Sequence, residues 1–272
     1  MKPQRITFGR MYPNAGYSAK YRREIRRLIK AMKQDTIIEL RRLSLDGMAN
    51  DAKKTEVKLT LTEIMAKLRK KWYSLFEKRS RQMSKWLAET VKKRTRKDIM
   101  NQLVKMGMAY QPHFSPAQDK IIAGFVEEST QLIKTIPQDF LRGVQEEMRD
   151  MVEKGDAHAI REMLIDEFNT EKYPFLAEAE KAERRADLIA NDQTQKVTQE
   201  YARDNAKAYG ATKAEWIHIP GEKSSRITHI EMDGKEFEID VGLYDPDVGR
   251  EVKPGELIYC RCAQSFIFPG TE

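Results

Sequence analysis

The sequence predicts an α+β chain, mostly helical over its N-terminal two thirds with long amphipathic helices, and closed by a small β-rich C-terminal module. Apolar residues recur at steps of three and four from about Tyr17 to Tyr209, the period of a helix face, and alternate after Gly210, the period of a strand. Charge divides the helical part again. Residues 1–110 carry 29 Lys+Arg against 10 Asp+Glu and the remainder 20 against 32, so +19 precedes −12 in a chain of net charge +7. The expected organisation is a basic helical arm (1–111), an acidic helical body (112–210) and a β-rich module (211–272).

The first stripe, Tyr17, Tyr21, Ile25, Leu28, Met32, Leu40 and Leu43, runs through an Arg-rich stretch and ends near Asp46-Gly47. The second, Ile64, Leu68, Trp72, Leu75, Phe76, Met83, Trp86, Ile99, Leu103 and Met106, spans about Thr62 to Gly107, the glycine serving as a left-handed stop. Unbroken, about 45 residues at 1.5 Å each make an arm of roughly 67 Å, longer than a small core needs. Its aromatic face is expected to meet a partner, the alternative being an intramolecular hairpin with the first stripe. The stripe weakens across Lys92 to Lys97, which reads as a break, a nucleic-acid contact or solvent-facing turns.

In the acidic body, Ser115-Pro116-Ala117-Gln118 has the residues of a capping box, and Ile121, Ile122, Phe125, Leu132 and Ile133 follow on one face. Pro137 is expected to start a new helix that Gly155 ends; Asp156 then caps a shorter one with Ile160, Met163, Leu164 and Phe168. His158 has no polar companion in the pattern and is expected at the surface. A last long helix runs from about Phe175 to Tyr209, with Ala179, Ala182, Ala186 and Ala190 as a small face for close approach.

Past Gly210, Glu215 to Ile219 reads as a strand, and Arg226 to Met232, Asp233-Gly234 and Lys235 to Ile239 as a hairpin. Leu257 to Phe268 reads as a further strand, with Ile258, Cys260, Cys262, Phe266 and Phe268 on one face.

Composition narrows the function classes. No apolar run approaches the roughly 18 residues of a membrane span, and the opening Met1 to Arg5 is not that of a signal peptide, so no membrane partner and synthesis in the cytosol are expected. Two cysteines one residue apart cannot build a disulfide framework. The basic arm suits non-specific double-stranded DNA or an acidic protein surface, with Arg22, Arg23, Arg26, Arg27, Lys92, Lys93, Arg94, Arg96 and Lys97 as the candidate contacts.

From Ala182 to about Phe266 (182–266) the chain carries Asn191, Asp192, Gln193 and Thr194 in a long helix, Gly210 at its end, Trp216 on the next strand, Arg226 three residues before His229, then Asp233-Gly234-Lys235 with Phe237, Pro254-Gly255-Glu256 and Cys260-Arg261-Cys262. In that order these features resemble the phage Mu F-like minor head protein family, also called head morphogenesis proteins. The chain departs from the family's usual Asp-x-Arg-x-Arg segment, since Gly221 to Arg226 keeps only the last Arg, and Asn191 stands where Arg is common. The resemblance implies a structural, non-enzymatic virion component, present in a few copies inside the head near the portal vertex. It also implies contact with portal protein, scaffold or major capsid protein, or packaged DNA.

Two chemical readings of the module stand beside this. A His near Arg226, Glu222 and Asp233 supplies the minimum for a nuclease or ribosyl-transfer site, but no phosphate loop, paired-carboxylate spacing or activated nucleophile accompanies it. His229, Cys260 and Cys262, with His218 as a further candidate, offer ligands to zinc. On an extended strand the Cys-x-Cys thiols stand roughly 7 Å apart at Cα and chelate only through a bend, so the expectation is a thiol core without cofactor, with zinc as the alternative.

Overall fold

A computed structural model describes residues 6–7, 11–105, 107, 116–165, 174–220 and 225–268. It bears out the α+β class. The elements are β1 (Ile6–Thr7), α1 (Ala15–Leu40), α2 (Asp51–Lys105), α3 (Pro116–Lys154), α4 (Ala157–Ile165), α5 (Pro174–Ala208), β2 (Lys213–Ile217), α6 (Ile227–Glu231), β3 (Glu236–Glu238), β4 (Leu243–Asp245), β5 (Arg250–Val252) and β6 (Ala263–Phe268). Met106, Ser115, Phe168 and Glu222 lie outside the described residues. None of the described helices is long and apolar enough to cross a membrane.

The chain folds as two compact units, one of residues 1–19, 84–127 and 190–272, the other of 20–83 and 128–189, which cut across the charge segments. Helix starts follow local chemistry. Asn14 Oδ1 accepts the N–H of Tyr17 and Asn50 Oδ1 that of Ala52, each satisfying a donor of the first turn, and Asp156 Oδ1 does the same for Ala159 at the start of α4. α5 ends just before Gly210, whose φ of 89° is the left-handed stop.

In the 20–83/128–189 unit, the stripe of α1 (Tyr21, Ile25, Ile29, Met32) and that of α2 (Leu68, Trp72, Phe76) are buried. Trp72 Nε1 donates to Asp35 Oδ2 at 2.8 Å, Lys71 reaches Asp35 Oδ1 at 2.8 Å, and Trp72 is only 3% exposed. Trp72 and Phe76 of the aromatic face are therefore covered within the chain, as an intramolecular packing with α1, while Leu75 and Trp86 are half-buried. α2 is also continuous through Lys92 to Lys97, with Val91, Thr95 and Ile99 buried at four-residue steps between the basic residues. Pro137 lies inside α3 and does not start a helix: Ile133, Ile136, Phe140 and Leu141 are buried on both sides of it, and that apolar face outweighs the loss of one helical hydrogen bond. His158 is exposed as expected but has Glu162 at 3.7 Å.

The other unit holds the four-stranded antiparallel sheet β1-β6-β2-β3 and the separate β4-β5 ribbon. Trp216 pairs with Gln264 and Ala214 with Phe266 across β2 and β6. Their inward faces, with Phe237, Phe268, Val252 and the two cysteines, pack on Ile99 and Leu103 of α2 and on Ala202 and Ala206 of α5. β1 is a strand in what charge marks as helical arm. Gln118 is buried and its Nε2 donates to Asp204 Oδ2 at 2.9 Å, while its expected capping partner Ser115 lies outside the described residues.

Two strand expectations are corrected here. Residues 227–231 form α6, not the first arm of a hairpin, because β3 takes β2 as its partner: Gly234 donates to the Trp216 carbonyl and Trp216 to that of Lys235, each at 2.9 Å. Ahead of β6, Leu257 to Cys262 is a turn and not strand, with Cys260 N–H donating to the Leu257 carbonyl and Tyr259 at φ 62°. Ile258 is consequently 64% exposed, off the face it was expected to share.

Candidate functional site

The family-like residues converge where the C-terminal half of α5 meets the 254–262 loop. Three side chains on one face of α5 hold that loop by its backbone, and a fourth, Gln199, ties the same face to β6 and to Met11. Asp192 Oδ1 accepts the N–H of Tyr259 at 3.1 Å; Gln195 Nε2 donates to the Cys262 carbonyl at 2.8 Å and the Arg261 carbonyl at 3.3 Å; Arg203 Nη1 donates to the Pro254 carbonyl at 3.2 Å. Gln199 accepts both bonds of Gln264 Nε2 from β6, at its own carbonyl and at Oε1, and donates to the Met11 carbonyl. Gly255 fits because nothing larger does: at φ 77° a Cβ there would lie 2.8 Å from Gln199 Cγ. Burial holds the Asp192 carboxyl above the usual carboxylate range, against the Tyr259 N–H and the charges of Arg226 and Arg261.

The rest of the motif falls into supporting roles. Gln193 and Thr194 are buried on α5, the Thr194 hydroxyl donating to the Ala190 carbonyl, and Asn191 Oδ1 accepts from Ser18. Arg226 is the N-cap residue of α6, Asp233 Oδ1 accepts the His218 N–H at 2.7 Å, and Gly234 turns the chain at φ 74°. Trp216 is fully buried, edge-on to His229 at 5.1 Å and to Phe237 at 6.2 Å.

Under the loop, the turn at Tyr259 brings both thiols to one histidine. His229 Nδ1 is 3.5 Å from Cys260 Sγ and 3.6 Å from Cys262 Sγ, and His218 Nδ1 is 3.8 Å from Cys262 Sγ. His229, Cys260 and Cys262 are all buried, with their ligand atoms within 4.8 Å of one another. Behind the histidine, Nε2 faces the fully buried Asp245 Oδ2 at 3.3 Å, while Asp245 Oδ1 accepts the Asp247 N–H. The Gly255 N–H donates to Cys260 Sγ at 3.3 Å. The neighbouring Cys262 thiol pushes Cys260 above the usual thiol range, and burial adds to this. The pairing with Cys260 holds Cys262 below that range, helped by the Trp216 indole and the Ile219 N–H.

The basic candidates are distributed between the two units. In the 20–83/128–189 unit, Arg26 forms a two-point pair with Asp187 and Arg27 pairs with Glu24 at 2.7 Å, while Arg22 is half-buried and Arg23 exposed. In the other, Lys92 lies 3.8 Å from Asp119 and Arg94 3.2 Å from Asp98, and Lys93, Arg96 and Lys97 line an open groove with Met100. The sequence reading does not single out Gln195, Gln199, Arg203, Gln264 or Asp245. Gln195, Gln199 and Arg203 recur at four-residue steps on the face of α5 that carries Asp192, and that spacing is the signal that could have found them.

The molecule is thus a helical scaffold carrying a small antiparallel module whose Cys/His loop is fastened to the last long helix. Residues 142–265 match the family described as Phage Mu protein F like protein. The match begins at Arg142, ahead of the motif at Ala182, and so takes in the end of α3 and all of α4. No curated protein and no solved structure matches the chain. The family supports a phage head morphogenesis role and is typically structural.

Proposed function

We propose that this chain is a phage minor capsid protein that acts at the portal vertex during head assembly, contacting portal protein and scaffold or major capsid protein. The family match over residues 142–265 carries the reading. In the finished particle it resides inside the head near the portal. Its basic residues add a second contact, non-specific and electrostatic, with packaged double-stranded DNA. The groove of Lys93, Arg96 and Lys97 and the exposed Arg23 and Arg94 support that contact, because cations on a helix face attract a phosphate backbone without reading bases.

Co-expression of the full chain with the portal protein of the same phage tests the proposal. The two are expected to co-purify through affinity and size-exclusion steps, and the complex to persist after nuclease treatment. A chain that elutes alone from mixtures with portal, scaffold and major capsid protein would contradict it. An association lost on nuclease treatment would assign the contact to DNA and remove the portal from the account.

A further inference from the structure

We propose that His229, Cys260 and Cys262, completed by His218, form a structural zinc site that ties α6, the end of β2 and the 254–262 loop into one module. This inference rests on side-chain geometry and is independent of the assembly role.

Distances carry it first. With Zn–S near 2.3 Å and Zn–N near 2.0–2.1 Å, tetrahedral ligation places a sulfur and a nitrogen about 3.6 Å apart. The two sulfur–nitrogen separations at His229, 3.5 and 3.6 Å, fall on that value, and His218 Nδ1 stands 3.8 Å from Cys262 Sγ. A thiol core explains them less well. The one lone pair on His229 Nδ1 accepts one S–H, yet both sulfurs stand at nearly the same distance from it.

The surroundings are those of a ligand set. Asp245 Oδ2 faces His229 Nε2, and neither atom has a hydrogen bond elsewhere among the described residues, so a proton on Nε2 directed at Asp245 leaves Nδ1 free to ligate. The Gly255 N–H on Cys260 Sγ suits a sulfur that carries negative charge. Two thiolates and two imidazoles are a donor set of borderline softness that favours zinc. His218, half-buried at the rim and close to Cys262, closes the tetrahedron by a side-chain movement, so the site is complete with four protein ligands and leaves no position open for catalysis.

The bend makes this possible. Tyr259 at φ 62° and the Cys260-to-Leu257 turn fold the two thiols to one side, which an extended Cys-x-Cys strand does not do.

The test uses the full chain purified under reducing conditions without added metal. Elemental analysis is expected to give about one zinc per chain, and chelation to lower the melting temperature, reversed by zinc. Replacement by Co(II) is expected to give thiolate-to-metal charge-transfer absorption and the visible bands of a tetrahedral site. Because Cys262→Ser removes a ligand that the fold of the module depends on, Asp245→Asn serves as the second variant: zinc affinity by chelator competition is expected to fall about 10–100-fold while zinc stoichiometry at saturation is retained. Sub-stoichiometric zinc that stays so after reconstitution, with melting indifferent to chelator and no cobalt charge transfer, would overturn the site in favour of a thiol core. An unchanged zinc affinity in Asp245→Asn would overturn the positioning role of that carboxylate.

Discussion

The backbone N–H of Tyr259, a residue in the left-handed region, donates to the side chain of Asp192 on α5 at 3.1 Å. That bond holds the bend that sets Cys260 and Cys262 side by side. Asp192→Ala is expected to destabilise the protein by about 0.5–1.5 kcal/mol, because it removes the bond that fastens the solvent-exposed loop N–H to the helix. Tyr259 is exposed, so Tyr259→Gly relieves left-handed strain and loses little packing; it should change stability by less than about 1 kcal/mol, whereas Tyr259→Val should destabilise. Denaturant melts of the three variants check the order, which reverses if the tyrosine side chain, and not its backbone, secures the loop.

Gly255 and Gly234 separate two kinds of glycine requirement. Both have positive φ, but a Cβ at Gly255 runs into Gln199 and Gln195, while one at Gly234 meets nothing within 4 Å. Gly234→Ala should therefore cost only the conformational strain, about 1–2 kcal/mol, and Gly255→Ala more than that. Equal losses would mean that the loop moves away from α5 freely.

Trp216 is the largest fully buried side chain and touches both His229 and Phe237. Trp216→Ala should cost about 3–5 kcal/mol by cavity formation. A loss below about 1 kcal/mol, measured by denaturant unfolding, would show that the sheet does not depend on it.

Much of this fold is legible in the sequence because the helices bury wide stripes at a regular period, as with Tyr21, Ile25, Ile29 and Met32. α6 is not: five residues hold too few turns to display a 3.6-residue period, and the alternation of Ile227 to Met232 looks like a strand. The bend at Tyr259 hides for a different reason, since no tyrosine announces a positive φ and only the Asp192 contact, 67 positions away, selects it. The cysteines and His229 are visible as candidate ligands, but the geometry of a strand argues against them until that bend is known. Gln195, Gln199 and Arg203 resemble a solvent-facing polar edge, and their burial under the loop follows from tertiary packing alone.

Glu147 gives a prediction in pH. Burial, with the charges of Glu178 and Asp150 adding to it, pushes its carboxyl up to about 7, and its Oε1 is buried without a hydrogen-bond partner among the described residues. Lys181 on Glu178 and Lys154 on Asp150 offset part of that negative field. The folded state holds the proton more tightly than the unfolded chain does. The favourable contribution is therefore present below the ordinary value of 4.5 and is lost as pH rises to about 7. Glu147→Gln should melt higher than the parent at about pH 8 and with little difference at about pH 4.5. The same difference at both pH values would contradict the assignment.

For the DNA contact, binding of the full chain to duplexes of unrelated sequence should weaken linearly in log salt, with a slope of about 0.9 per phosphate neutralised. Lys93→Glu with Lys97→Glu should lower that slope. Binding that ignores salt, or survives both reversals unchanged, would move the basic groove to a protein partner.

The head assembly role is tested most directly by quantitative mass spectrometry of heads purified from the phage that encodes this chain, grown with and without its portal protein. The account predicts a few copies of the chain per portal-containing head and loss of the chain from particles assembled without portal. Absence from portal-containing heads, or equal amounts in both kinds of particle, would contradict it.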